Sequence, residues 1–202
     1  MHKIRAYLLT LFIVSVLSSA YSFASGPLLI DQNISHVDLR QHSTFLITDD
    51  NIQLSNVQNI QTWQTQHSTE PLAANKSLWG RVRIQISTGY STPLFLTIDN
   101  PQLDLVDLYI LDEKDRILNS YLMGANRDLS RRPYNHRVFV VPILPTQSEE
   151  ISIYFKISDD GPLVFPITLS NQSNIVIHEQ VLLAMIGLIS GALVILACYF
   201  LV

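Results

Sequence analysis

The chain has 202 residues, 48% of them hydrophobic, with 13 Lys and Arg against 17 Asp and Glu and a formal charge of −4. An acidic balance without a basic run sets nucleic acid aside as a partner. The single cysteine, Cys198, lies in the last apolar stretch, so the polar middle has no disulfide to rely on and must hold itself together by its core.

The N-terminal stretch "MHKIRAYLLTLFIVSVLSSAYSFASG" places Lys3 and Arg5 ahead of an apolar run over 6–17. Small residues then come at signal-peptidase spacing, either Ser18-Ser19-Ala20 or Ser22-Phe23-Ala24. The pattern predicts a signal peptide over 1–24, with an uncleaved anchor as the other reading; in both, the rest of the chain up to the last apolar stretch is exported. Without Lys3 and Arg5 the formal charge falls to about −6.

In "SNVQNIQTW", Ser55 is placed to cap a short turn of helix ending near Trp63. Beyond it the chain reads as strands. "SLWGRVRIQIST" sets Trp79, Arg81, Arg83 and Gln85 against Val82, Ile84 and Ile86. "PLFLTIDN" places Leu94, Leu96 and Ile98 on one face, and "LDLVDLYILD" does the same for Val106, Leu108 and Ile110. The turn "DEKD" and the return "RILNSYLMG" predict a hairpin. "RVFVVPIL", "ISIYFKIS" and "LVFPITLS" come next, separated by loop-forming "PTQSEE" and "DDGP". Pro142 and Pro166 fall in strand-like runs and belong at edges or bulges, because proline cannot donate to a ladder. Short strands without long helices between them predict an all-β fold, an antiparallel β-sandwich or jelly roll over 25–178.

"SNQSNIVIHEQ" joins the last strand to "VLLAMIGLISGALVILACYFLV", 22 residues without Asp, Glu, Lys or Arg. A bilayer core needs about 20 apolar residues in a helix, so 179–202 is expected to span a membrane. Gly187, Ser190 and Gly191 share one face of that helix, where another helix can approach closely.

Chemistry-bearing patterns are scarce. The histidines are scattered without metal-ligand spacing, no Gly-x-Ser-x-Gly elbow occurs, and Asp159-Asp160 and Glu149-Glu150 sit between strands. The chain therefore reads as a non-enzyme with no cofactor or metal. The densest polar feature is "NRDLSRRPYNHR", where Arg127, Arg131, Arg132 and Arg137 interleave with Tyr134 and His136. Guanidinium forks bind carboxylate, sulfate or phosphate bidentately, and an aromatic beside them stacks on a sugar or ring. Arg131, Arg132, Tyr134, His136 and Arg137, with Trp63 as an aromatic platform, are the candidate ligand site. The competing reading pairs these arginines with the domain's own surplus carboxylates and places Trp63 in the core.

The ordered run of "SLWGRVRI", "LYILDEKDRI", "SRRPYNHRVFVVPILP", "ISIYFKIS", "GPLVFPITL" and "GLISGALV" resembles the extracytoplasmic domain and first membrane span of bacterial seven-transmembrane receptors with diverse intracellular signalling modules. The resemblance covers roughly residues 35–202. It implies a jelly roll similar to a carbohydrate-binding module, held in the periplasm at the inner membrane. On that pattern the domain senses a small periplasmic ligand, carbohydrate-like or anionic, and a cytoplasmic module supplies the output. A partner receptor or a second copy is a further expected partner. No Lys or Arg comes after the span, where the positive-inside tendency expects one, so the chain is expected to be the front of a longer receptor. The other reading is a single-span tethered interaction module without output of its own.

Overall fold

The structure, a computed structural model, describes residues 26–201 apart from 33, 67–68, 91 and 145–149. The leader expected over 1–24 lies outside these residues. Among the described residues, ten strands form two sheets. The larger has β4 (Lys76–Ile86) near one side, with β1 (Leu28–Ile30) and β3 (Thr44–Asp49) both on its outer edge. Beyond β4 come β9 (Glu150–Ser158), β6 (Leu105–Asp112) and β7 (Ile117–Met123). The smaller runs β2 (His36–Asp38), β10 (Ile167–Asn171), β5 (Leu94–Ile98) and β8 (Phe139–Ile143). Every ladder is antiparallel except β1 on β4, which is parallel and sets Leu28 beside Ile84.

Alternation decides what each sheet buries. Val82 and Ile84 of β4, Leu108 of β6 and Ile153 of β9 share one core with Leu96 of β5, Val141 of β8 and Leu169 of β10. Both sheets thus turn an apolar face to the same interior, where each fully buried Leu or Ile contributes about 1.5–3 kcal/mol. Phe45, Phe155 and Phe165 meet edge to face in this core, with centroids 6.0–6.5 Å apart. Gly80 stands in register between Phe45 and Phe155, and its missing side chain makes room for the Phe155 ring.

Several local expectations change. The short helix is Leu54–Val57, with Gln53 rather than Ser55 at its N-cap, and it ends well before Trp63. The helix and its downstream loop cover the outer face of the larger sheet, so Trp79 is 1% exposed in mid-sheet, stacked on Tyr109 at 6.1 Å. In "LVFPITLS" only the second half is strand. Pro166 precedes β10 and its carbonyl accepts from Asp99 N, whereas Pro142 lies on the edge strand β8, where a missing donor costs little. The C-terminal helix, Gln172–Leu201, begins directly after β10 and absorbs most of the expected connector. It is long and apolar enough to cross a membrane.

The β6–β7 hairpin turns on Asp112, whose side chain is almost wholly buried. Its Oδ1 accepts from the backbone N–H groups of Lys114 and Arg116, both at 2.9 Å, and its Oδ2 accepts from Arg116 Nε at 2.7 Å. The Arg116 backbone N–H, aided by that residue's guanidinium, holds the carboxyl below its ordinary value of 3.8. A carboxyl that binds its proton more weakly folded than unfolded adds stability above that value, and loses it as pH falls through the lower folded value. Asp112→Asn is expected to melt below wild type at pH 7, with the gap narrowing as pH falls below 3.8. Thermal melts at several pH values check this, and a gap independent of pH contradicts it.

Candidate functional site

The smaller sheet turns a two-character surface outward. With Leu94, Leu96 and Ile98 committed to the core, β5 presents Phe95 and Thr97 on the other side. Register then sets Thr97 between Thr168 and Val140, and Phe95 between Ser170 and Pro142. Hydroxyls thus gather toward β10 and β2, apolar groups toward β8. His36 on β2 pairs with Ser170 and extends the polar half.

Two covers lie over this face. The loop after the 3₁₀ turn Leu129–Arg131 brings Tyr134 edge-on to Phe95, with centroids 5.7 Å apart. From the first turn of the C-terminal helix, Ile175 packs on Phe95, Val138 and Val140. Asn171 Oδ1 accepts from Asn174 N at 3.1 Å, and Asn174 Nδ2 donates to Ser35 O, which fixes that turn to the sheet.

Two concavities remain between sheet and covers. The first, about 300 Å³, is lined by His36, Thr97, Asp99, Arg137, Thr168 and Ser170 together with Val138 and Pro166, so hydrocarbon forms much of its wall. The second, about 450 Å³, is walled mainly by Phe95, Tyr134, Val140, Pro142, Leu144 and Val176, with Asn135 and Gln172 at its border. His136 and Ile175 border both.

Arg137 Nη1 lies 3.5 Å from Asp99 Oδ1 with both side chains nearly half exposed, a pair that contributes under about 1 kcal/mol. His136 Nδ1 accepts from Val138 N at 3.2 Å, so a neutral ring carries its proton on Nε2. The Thr97 hydroxyl is buried and, among the described residues, has no hydrogen-bond partner.

The sequence-derived candidates divide. Tyr134, His136 and Arg137 come together at the two concavities. Arg131 is exposed at the end of its turn and lines neither. Arg132 is engaged in the scaffold: its guanidinium carbon lies 4.5 Å from the centre of the Phe139 ring, and Nη1 donates to His136 O at 3.3 Å. Arg127 is likewise structural, paired with Asp107 and donating to Met123 O at 2.9 Å. Trp63 belongs to the outer face of the larger sheet, edge-on to Tyr154, with Arg81 4.6 Å over its ring and Nε1 donating to Ile60 O at 2.8 Å. His36, Thr97, Asp99, Thr168 and Ser170 join the site through register, and the only trace of them in sequence is their outward phase in the alternation. Among the described residues, no group of three or more His, Cys, Asp or Glu is placed to hold a metal ion.

The profile of the 7TMR-DISM extracellular 2 family matches residues 40–171. No curated protein matches the chain. Among solved structures, the crystal structure of the enzymatically active domain of bacteriophage CBA120 tailspike protein 4 is similar at a TM-score of 0.29 and 12% identity, over 67% of this chain and 18% of that one. A likeness that low carries no argument about fold or activity.

Proposed function

The chain belongs to the 7TMR-DISM extracellular 2 family, and we propose that its two sheets form a jelly-roll sandwich, similar to a carbohydrate-binding module, that serves as the ligand sensor of a membrane signalling receptor. The domain faces the periplasm, the C-terminal helix is the receptor's first span, and output comes from the receptor's other parts. Catalysis has no role in this reading. The observation that supports it is the shared wall: Ile175 borders both concavities and belongs to the helix that enters the membrane. A ligand seated there alters the free energy of helix docking, and it shifts the receptor only by its difference in affinity for the docked and displaced helix.

A thermal-shift screen of sugars, amino acids and carboxylates on the full chain in nanodiscs tests the site. A ligand at 100 times its Kd stabilises by about 2.7 kcal/mol. Thr168→Phe, an outward strand position that tolerates an aromatic, fills the first concavity and is expected to abolish the shift. Equal stabilisation of the variant sinks the proposed site.

A second reading, self-association, is favoured by the edge strand β7. Its sequence "ILNSYLM" has no charge and no proline, Leu118 and Leu122 are 37% and 38% exposed, and among the described residues only β6 pairs with it. Native edges usually carry a charge, a proline or a bulge that blocks pairing, and the one irregularity of β7 lies near its start, at Leu118 opposite Ile110 and Leu111, which leaves 119–123 regular. We assign this edge to antiparallel pairing with a second copy or a partner receptor's domain. Leu122→Lys is expected to shift native mass spectra of the full chain from dimer to monomer, and an unchanged distribution rules the edge out.

A further inference from the structure

The C-terminal helix sets the level at which a bilayer meets the domain. Glu179 is the last charged residue before the apolar run that starts at Val181. From Val181 to Leu201 the helix rises about 31 Å, at roughly 1.5 Å per residue, which matches a hydrocarbon core of about 30 Å. With the hydrocarbon edge at Val181, Val176 and Ile177 lie about 6–7.5 Å above it, at the depth of the headgroup layer, which adds roughly 5–7.5 Å on each side.

The domain surface beside those two residues is apolar and uncovered. Tyr134, Leu144, Val176 and Ile177 are each between 43% and 59% exposed. Tyr134, Leu144 and Val176 line the second concavity with the exposed Pro93, and among the described residues no Asp, Glu, Lys or Arg lines it. Ile175 and the bonds of Asn174 to Asn171 and Ser35 hold the helix's first turn to the sheet, so the patch keeps one orientation relative to the helix. We propose that this patch is a membrane-docking foot: the lipid surface covers Pro93, Leu144 and Val176, and Tyr134 takes the headgroup-level place where interfacial tyrosines gather. Exposed apolar patches mark protein or membrane contacts, and continuity with the helix selects the membrane. Val176 precedes the apolar run by less than two turns, so the bilayer reaches the patch wherever the helix crosses it. The proposal rests on the reading of that helix as a span and not on a ligand in the concavities.

The test reads depth by nitroxide collisions in the full chain, one copy per nanodisc of phosphatidylethanolamine and phosphatidylglycerol, with Cys198→Ser to remove the native thiol. Leu144→Cys carries the label; Gln102→Cys, on an exposed loop, is the aqueous reference, and Leu188→Cys, exposed on the helix, is the bilayer reference. The Leu144 label is expected to lose collisions with a water-soluble nickel chelate and gain collisions with oxygen relative to Gln102, taking a value between the two references. A Leu144 label that matches Gln102 while Leu188 reads hydrocarbon overturns the foot and keeps the span. Shielding of Leu144 from both reagents reports cover by protein and also overturns the foot. Free access of nickel to Leu188 overturns the span and the foot together.

Discussion

Replacing Gly80 with valine is expected to unfold the domain at temperatures where the wild-type chain is intact. Gly80 lies in the middle of β4 on its core-facing side, and a β-carbon built there falls 1.9 Å from Phe155 Cζ and 2.2 Å from Cε2. No contact that short survives, so either the ring or the strand must move. The ring has little freedom, being 0% exposed and held edge to face by Phe45 and Phe165. The strand has less, since β4 is hydrogen-bonded on both sides, to β3 and to β9. Overpacking a tight core typically costs about 1–3 kcal/mol, and a branched side chain against a fixed ring belongs at or above the top of that range. At roughly 2–4 °C per kcal/mol for a chain of this size, the melting temperature drops by about 10 °C. Trp63 and Trp79 fluorescence reads the transition. Gly80→Val with Phe155→Leu is expected to recover part of the loss, because the two changes share one volume and are not additive. A Gly80→Val melt within 2 °C of wild type, roughly 1 kcal/mol or less, overturns this packing account.

Ile175→Asp is the second large effect, and it is local. Ile175 is the apolar contact between the helix's first turn and the outer face of the smaller sheet. Its aliphatic surface contributes about 1–2 kcal/mol at partial burial, and a carboxylate at the same place adds a desolvation penalty. Together these shift the docking equilibrium away from the sheet by roughly tenfold for each 1.4 kcal/mol lost. The domain core, formed by other residues, keeps its melting temperature. The helix is released to move against the smaller sheet, and on the proposed sensor reading a ligand in the concavities no longer reports to it.

How much of the fold the sequence displays depends on where each face is buried. β4, β5, β6 and β9 alternate because one side meets the core, and their core residues read directly from the phase. β1 and β2 are three residues each, too short to show a period, and the parallel seat of β1 on β4 has no local signature. Trp79 has the phase of an outward residue yet is buried, because the 52–63 segment folds over the outer face, a tertiary event no period records. The arginine cluster is legible as a feature and misleading as a unit. A single loop carries Arg131 to solvent, Arg132 onto Phe139 and Arg137 to Asp99. Trp63 lies on the other sheet, and Thr97, Thr168 and Ser170 become neighbours only through register.

The central claim is that the two-sheet domain holds the C-terminal helix through Ile175, and a distance measurement tests it most directly. Spin labels go on Gln102→Cys at an exposed loop and Gln180→Cys on the helix, with Cys198→Ser, in the full chain in nanodiscs. Double electron–electron resonance is expected to give one narrow distance distribution for this chain and a broad or displaced one when Ile175→Asp is added. The same distribution in both contradicts the account, because a helix indifferent to Ile175 receives nothing from the site beside it.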